Sequence, residues 1–339
     1  MRIFAITTRG LEEVCAQEMA GIPGLALRGS AYRRVLADYD GPLPTLLALR
    51  TVDDVYLHLD TWTGIARQRE ALERVKQASA RIDLKAAAAL LAGERETSRP
   101  PVFSVTASFV GRRNYSADEI KQAAAEGIAA RAGWLYTGND APGAFNLRLF
   151  IEGEQALVGL RLSDYPLHQR PYKQTNIPGS TKPSVAAALV RLAQVAPGQT
   201  VLDPCCGAGT ILIEAALAGA SARGGDNDPQ AVAASLDNSR RASVPVTIQR
   251  WDARCLPLPG QSVARIISNL PWGRQASVEA GLAEYYQAIT GEMRRVLAPG
   301  GRIVLLANAP RQVFVPGAAL KQQIEISLFG QTPVIMIFE

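Results

Sequence analysis

Histidine, cysteine and long apolar runs are scarce in this chain of 339 residues, and each scarcity excludes a class of protein or site. With two histidines and four cysteines that form no Cys-x-x-Cys pair, we expect no zinc site and no other metal. No run approaches the ~18 apolar residues of a membrane-spanning helix, and the first residues lack a basic head before an apolar core. We therefore expect a cytoplasmic protein with reduced thiols and no membrane partner.

The charge balance is mildly basic, with a formal net charge of +5. Most of this excess falls after residue 170. A basic surface favours nucleic acid, because binding neutralises phosphates, but an excess of this size does not establish such a partner.

Strands alternate with helices in the second half of the chain. Strands are predicted at 200–203, 222–226, 246–249, 265–269, 302–307, 324–329 and 334–338. Helices are predicted at 210–217, 229–239 and 279–297. The pattern indicates an α/β fold, a Rossmann-like, mostly parallel seven-stranded sheet whose last hairpin adds an antiparallel edge.

The first half is predicted to be an α+β region. Short strands near its start are followed by a helical stretch at 61–100, a strand at 102–109 and a hairpin at 147–160. Ser116 and Glu119 form a capping box that starts a helix. Pro-rich and polar residues at 164–180 mark a domain boundary.

The first strand end of the second half reads Asp203-Pro-Cys-Cys-Gly-Ala-Gly-Thr210. Ligands of such sheets bind beyond the carboxyl ends of the strands, and Gly207 and Gly209 let the backbone approach a ligand. A dinucleotide fingerprint is incomplete because Leu212 replaces its third glycine, and no phosphate loop follows. The motif argues against NAD and ATP and favours a compact nucleoside ligand.

Three further strand ends carry polar groups. The Asp226 carboxylate can accept hydrogen bonds from ribose hydroxyls, and Asp252 can accept one from an adenine amine. Asn269-Leu-Pro-Trp272 combines an amide oxygen, a backbone carbonyl and an aromatic face. That set suits a planar base with an NH2 group, which would stack on Trp272.

The neighbouring Pro204-Cys205-Cys206 suggests a thiol nucleophile of the cytosine-5 methyltransferase type. Such a thiol should lie at the fourth strand end, however, where Trp272 follows Pro271. We therefore expect packing cysteines there. His168 is interpreted as a linker residue rather than a catalytic base.

These motifs resemble the class I S-adenosylmethionine (SAM)-dependent amino-methyltransferases, and the segment Gly179–Leu189 resembles the lead-in of their RNA-directed branch. Gly111-Arg-Arg-Asn-Tyr115 and Leu167-His-Gln-Arg-Pro-Tyr172 are similar to the THUMP RNA-binding domain and its ferredoxin-like lead-in. Together the chain resembles the THUMP-containing tRNA guanine-N2 methyltransferases. Asn269-Leu-Pro-Trp272 departs from the commoner Asn-Pro-Pro-Tyr at two positions, and this departure favours guanine over adenine.

The resemblance implies a domain order and a set of roles. The domains would be a ferredoxin-like part at 1–60, a THUMP domain at 61–165, a linker at 166–180 and a methyltransferase domain at 181–339. The cofactor SAM, with S-adenosylhomocysteine (SAH) as product, would be held by Asp203, Cys205, Gly207, Gly209, Thr210, Asp226, Asn227, Asp252, Ala253 and Asn269. Catalytic roles would fall to Asn269, Leu270, Pro271 and Trp272. Contacts to RNA are expected from Arg112, Arg113, Tyr115, Arg170, Lys173 and Lys182.

The implied reaction forms N2-methylguanosine, at position 6 of the tRNA acceptor stem. The partner would be the acceptor stem and 3′ end of tRNA, bound by a monomer. Three alternatives stay open: a 23S ribosomal RNA guanine-N2 or RNA adenine-N6 methyltransferase, an RNA-binding protein with an inactive methyltransferase fold, and a small-molecule methyltransferase.

Overall fold

The computed structural model describes residues 1–91, 101–141, 143–272 and 281–339. Its strands are β1 Arg2–Ile6, β2 Leu25–Ala31, β3 Arg34–Tyr39, β4 Asp54–Trp62, β5 Val102–Phe109, β6 Leu135–Tyr136, β7 Phe145–Glu152, β8 Gln155–Arg161, β9 Thr200–Asp203, β10 Ser221–Asp226, β11 Val246–Arg250, β12 Val263–Asn269, β13 Leu297–Ala307, β14 Leu320–Glu325 and β15 Val334–Phe338. Its helices are α1 Glu12–Ala20, α2 Leu43–Leu47, α3 Ala71–Ser79, α4 Leu84–Ala89, α5 Ala117–Ala132, α6 Pro183–Leu192, α7 Thr210–Leu217, α8 Pro229–Arg241 and α9 Leu282–Val296.

The chain divides into two compact units. Unit 1 contains Met1–Ile6, Met19–Leu49 and Asp54–Leu167, and unit 2 contains Thr7–Glu18, Arg50–Asp53 and His168–Glu339. The predicted division of the first half at residue 60 stays a prediction, and that position lies within β4. Among the described residues, no helix is both long and apolar enough to cross a membrane.

Unit 1 is built on an eight-stranded sheet with the strand order β2-β3-β1-β4-β8-β7-β5-β6. The predicted capping box opens α5: Ser116 accepts from the backbone N–H of Glu119, whose side chain accepts from Ser116. On the same helix, Gly127 faces the backbone of α3, because a Cβ there would lie 2.2 Å from the Lys76 carbonyl oxygen. The two helices therefore pack closely at a residue without a side chain.

Unit 2 contains the predicted seven-stranded sheet, in the order β11-β10-β9-β12-β13-β15-β14. The first five strands are parallel, and β15 pairs antiparallel with both β13 and β14. Successive residues of a strand, such as Val201 and Leu202, belong to two different core clusters. Both faces of the sheet are therefore buried, as parallel sheets require, and the predicted fold class is confirmed.

Several predicted boundaries differ from the structure. The strand predicted at 302–307 begins at Leu297, and the strand predicted at 324–329 begins at Leu320. The penultimate strand ends at Glu325 rather than Phe329, because Phe329 and Gly330 both have positive φ angles, 52° and 74°, which an extended strand excludes. The predicted helix at 279–297 begins at Leu282 in the structure, and its first two predicted residues, like residues 92–100 of the predicted helical stretch, lie outside the described residues.

Candidate active site

The switch point of the unit 2 sheet lies between β9 and β12. From β9 the chain continues through β10 and β11 on one side, and β12 then pairs with β9 on the other side. The carboxyl ends of these strands carry Asp203, Asp226 and Asn269. Ligands of such sheets bind outside the carboxyl ends at this point.

Asp203 is buried and has internal hydrogen-bond donors. Its Oδ1 accepts from the Ser268 hydroxyl at 2.7 Å and from the backbone N–H of Cys205 at 3.2 Å. Burial raises the pKa of this carboxyl group to about 7. With 1% of the residue exposed, Asp203 positions the glycine loop rather than presenting a free carboxylate to a ligand.

The two predicted glycines serve different purposes. Gly207 has a φ of 51°, and a Cβ there would meet only the Ile177 side chain, at 3.6 Å. Gly209 has a φ of 78°, and a Cβ there would lie 2.8 Å from the Cβ of Ser235 on α8. Gly207 thus leaves backbone open beside the strand ends, whereas Gly209 permits tight packing of the loop against α8.

Asp226 connects the second strand end to the glycine loop. Its Oδ2 accepts from the backbone N–H of Gly207 at 3.0 Å, and its Oδ1 accepts from the backbone N–H of Asp228 at 3.1 Å. The residue is half-buried and its neighbour Asn227 is exposed. The carboxylate is therefore oriented by backbone donors and retains lone pairs for a ligand.

Asp252 is less available than the sequence suggested. The Arg254 guanidinium donates to both of its carboxylate oxygens, at 2.6–3.0 Å, and holds the pKa of this carboxyl group below its ordinary value. The Asp252 carboxylate, which the sequence suggested as a free acceptor, is thus paired with the Arg254 guanidinium two residues later in the chain. The adjacent Ala253 is buried.

The fourth strand end holds an oriented amide. The Nδ2 of Asn269 donates to Thr181 Oγ1 at 3.2 Å and to the carbonyl of Gly179 at 3.3 Å. Its Oδ1 accepts from the indole N–H of Trp272 at 3.0 Å. Trp272 is half-buried and packs against the core cluster that contains Ile267.

The residues between these two are also fixed. Leu270 is buried, and its backbone N–H donates to the Leu306 carbonyl at 2.9 Å. The Tyr286 hydroxyl donates to the Pro271 carbonyl at 2.6 Å. Asn269-Leu-Pro-Trp272 is therefore held by the sheet, by α9 and by the segment before α6.

That segment, residues 173–181, also contacts the glycine loop. Asn238 on α8 donates to the carbonyls of Thr175 and Ala208, and accepts from the Thr175 backbone. Because Thr181 accepts from Asn269, one segment brings the first and fourth strand ends together.

Lys173 was predicted to contact RNA, but its ammonium group has internal acceptors. It donates to Thr210 Oγ1 at 2.9 Å and to the Thr181 carbonyl. Burial lowers its pKa to about 8. Lys173 therefore joins the start of α7 to residues 173–181, and the structure does not present it to a phosphate.

Arg170 and Lys182 differ from the prediction for the same reason. The Arg170 side chain is 8% exposed, lies 3.6 Å from Glu214 and donates to the Arg50 carbonyl at 2.8 Å. Lys182 is paired with Asp53 at 2.7 Å. Both cations therefore pair with carboxylates or carbonyls within unit 2.

In unit 1 the predicted RNA-contacting residues separate into two groups. Arg112 is exposed. Arg113 donates to the carbonyls of Ile65 and Ala66 at 3.0 and 2.9 Å and to the Tyr115 hydroxyl at 2.7 Å. Tyr115 itself is 4% exposed, so Arg113 and Tyr115 stabilise this loop, and only Arg112 presents its charge to solvent.

The thiols of Cys205 and Cys206 are unsuited to nucleophilic attack. Burial raises the pKa of both thiols well above the ordinary value. The reactive form of a cysteine is the thiolate, which such a pKa suppresses. The packing interpretation of these cysteines therefore fits the structure better than the cytosine-5 interpretation.

Two polar residues of this site were missed in the sequence. Ser268 binds Asp203, and Thr181 binds Asn269. Ser268 interrupts the apolar run Ile266-Ile267 just before the strand end, and that polar residue in a buried strand was the available signal.

Known proteins match both the site and the whole chain. A family model described as RMKL-like, methyltransferase domain, matches residues 170–315. The tRNA (guanine(6)-N2)-methyltransferase of Thermus thermophilus is 30% identical over 244 residues, which are 70% of this chain and 72% of that protein. The crystal structure of TrmN from Thermus thermophilus matches with a TM-score of 0.80 and 27% identity, over 100% of this chain and 99% of that one.

A mammalian relative matches over a shorter range. The mouse U6 snRNA (guanine-N(2))-methyltransferase THUMPD2 is 34% identical over 169 residues, which are 48% of this chain and 31% of that protein. The Thermus sequence match over 70% of this chain and the Thermus structural match over all of it, together with the strand-end motifs described above, identify the family. The chain belongs to the RNA guanine-N2 methyltransferases, the family that includes the Thermus tRNA enzyme.

Proposed function

We propose that this enzyme methylates the exocyclic N2 of a guanine in tRNA, at position 6 of the acceptor stem, with SAM as methyl donor. The observation that carries the proposal is the oriented amide of Asn269 beside Trp272 at the switch point of the sheet. A relative that matches 70% of this chain is named a tRNA (guanine(6)-N2)-methyltransferase.

The residues of the cofactor side fit SAM. Gly207 leaves open backbone next to the Asp226 carboxylate, which is already oriented and half-exposed. Asp226 would hold the ribose, and residues 205–210 would surround the methionine part. Asp252 would accept from the adenine amine with the lone pairs that Arg254 leaves free. When bound, SAM supplies an electrophilic methyl group, and SAH remains as product.

The residues of the base side suit an aromatic amine. The N2 amine of guanine is a poor nucleophile because its lone pair is conjugated with the ring. Asn269 Oδ1 and the Leu270 carbonyl would accept from its two N–H groups and hold the lone pair toward the methyl group. Trp272 would stack on the base, which offsets part of the cost of unstacking it from the stem.

Unit 1 would bind the tRNA 3′ end and present the stem to unit 2. The support for this is its α+β fold, which extends the match to the Thermus structure over the entire chain, and the exposed position of Arg112. Arg112 would contribute a phosphate contact, which positions RNA without reading its sequence.

Incubation with SAM and unmodified tRNA, followed by nucleoside mass spectrometry and mapping, tests the proposal. We expect N2-methylguanosine at position 6 and no product with Asn269→Ala, although that variant still binds SAH in calorimetry. Methylation of adenine, or of ribosomal RNA in preference to tRNA, would overturn it.

A further inference from the structure

The side-chain amide of Asn269 is held from both ends. Its NH2 group donates to Thr181 Oγ1 and the Gly179 carbonyl, at 3.2 and 3.3 Å. Its oxygen accepts from the indole N–H of Trp272 at 3.0 Å. A side-chain amide can rotate by half a turn and exchange its oxygen for its nitrogen, and such a flip would place donors where acceptors stood. The Gly179 carbonyl, which can only accept, and the Trp272 indole N–H, which can only donate, both oppose this exchange.

The indole contact uses only part of the amide oxygen. An amide oxygen has two lone pairs, and Trp272 occupies one of them. The second can accept from a substrate amine without loss of the first bond. A residue with an aromatic face but no N–H group at position 272 would leave the amide oxygen held by the opposite end alone.

The backbone that carries Trp272 is fixed as well. Pro271 precedes it, and the Pro271 carbonyl accepts from the hydroxyl of Tyr286, a buried residue of α9. The ring of Trp272 packs against the core cluster that contains Ile267. The indole N–H is thus held in place by the protein, as a donor that orients a neighbour must be.

We propose that the indole N–H of Trp272 is a positioning donor, which orients the Asn269 amide oxygen toward the amine of the target guanine. The proposal rests on the proposed function and adds to it a second role for Trp272, separate from stacking. The donor does not touch the reacting atoms and acts through Asn269. Tryptophan in place of the commoner tyrosine at position 272 thus supplies the indole N–H that holds the Asn269 oxygen.

The sharpest test separates the donor from the ring. In Trp272→benzothienylalanine, sulfur replaces the indole N–H and the bicyclic aromatic face is kept. We expect kcat to fall by about two- to twelvefold, the effect of losing one hydrogen bond of ordinary net strength. The KM for tRNA and the Kd for SAH should stay within about twofold. Trp62→benzothienylalanine is the matched control, because it removes an indole bond to Asp60 in unit 1, and its kcat should be unchanged.

The opposite end of the amide provides a second variant. Thr181→Val removes one acceptor of the Asn269 NH2 group and should also lower kcat, and Thr181→Ser should restore it. In the double variant of Thr181→Val and Trp272→benzothienylalanine, the loss of activation free energy from kcat should differ from the sum of the two single losses, because both substitutions act on the same amide. Additive losses would show that the two contacts act separately and would contradict a common role.

A spectroscopic measurement is independent of activity. In the 15N spectrum of the full-length protein, Asn269→Ala should move the indole N–H signal of Trp272, and Thr181→Ser should leave it in place. A kcat of Trp272→benzothienylalanine equal to or above that of the wild type overturns the proposal. If the wild-type enzyme methylates another base nitrogen, the proposed function fails, and the same kcat comparison on that base decides the role of Trp272.

Discussion

The hydroxyl of Ser268 donates a hydrogen bond of 2.7 Å to the carboxylate of Asp203, and this bond joins the ends of β12 and β9. These two strands are adjacent and parallel. The pair therefore links the glycine loop that follows Asp203, the last residue of β9, to the tetrapeptide that begins at Asn269, the last residue of β12.

The buried Asp203 carboxyl group should make stability depend on pH. Burial raises its pKa to about 7, above the value of about 3.9 for an unfolded aspartate. The folded protein then binds more protons than the unfolded chain between these values, so the free energy of unfolding falls as the pH rises from about 4 to 7. Asp203→Asn should flatten this fall, as measured by urea denaturation across that range.

A second carboxyl group provides the comparison for that experiment. Burial also raises the pKa of Asp54 in unit 1 to about 7, and Asp54→Asn should remove its own share of the pH dependence. A slope that Asp203→Asn leaves intact and Asp54→Asn abolishes would assign the whole effect to Asp54.

Asp226 should matter more for cofactor affinity than Asp252. Asp226→Ala removes an acceptor that also orients Gly207, and hydrogen bonds to charged groups contribute about 1.5–3 kcal/mol. We expect SAH to bind about 10–100-fold more weakly, as measured by calorimetry. Asp252→Ala should cost less, because Arg254 already occupies that carboxylate. Equal losses for the two variants would contradict this ranking.

Gly209 should tolerate alanine poorly for two reasons that can be separated. Gly209→Ala places a side chain at a φ of 78° and 2.8 Å from the Ser235 Cβ. Gly198 has a φ of 79° with nothing near its missing side chain, so Gly198→Ala measures the backbone cost alone, about 1–3 kcal/mol. Urea denaturation should show a loss for Gly209→Ala that is larger by about 1–3 kcal/mol.

The control for this difference is the neighbour itself. Adding Ser235→Gly to Gly209→Ala removes the atom that the new side chain meets, and it should recover part of the stability. Similar losses for Gly209→Ala and Gly198→Ala would mean that the packing against α8 relaxes without cost.

Substitution of Arg112 should affect RNA binding, whereas substitution of the adjacent Arg113 should affect stability. Arg112→Ala should weaken tRNA binding and lower the magnitude of the salt dependence, d log K/d log[salt], by about 0.7–1, the value for one lost phosphate contact. Its Tm should not change, because the side chain is exposed. Fluorescence anisotropy at several salt concentrations measures the slope.

Arg113→Ala should instead lower the Tm. Its guanidinium donates to two carbonyls and to the Tyr115 hydroxyl, and a buried acceptor left without its donor costs about 1–3 kcal/mol. An unchanged Tm for Arg113→Ala, with a lower salt dependence of RNA binding, would show that Arg113 contacts RNA and does not stabilise the loop.

The sequence by itself determined the fold class and the places where polar groups gather. Side-chain periodicity identified the strands, and the carboxyl ends of parallel strands meet at one edge of a sheet. The positions of Asp203, Asp226 and Asn269 followed from these two facts. Their positions at the ends of predicted strands were sufficient to predict that they lie close together, because neighbouring parallel strands end at the same edge of the sheet.

Only the tertiary structure decided which of the predicted groups are free. Thr181 and Asn269 are 88 residues apart in the chain, and no local pattern shows that their side chains meet. The same holds for Lys173, which donates to Thr210, and for Arg113, which donates to the carbonyl of Ile65. A charged side chain looks the same in a sequence whether it faces solvent or a buried acceptor, because its partner is set by packing of distant segments.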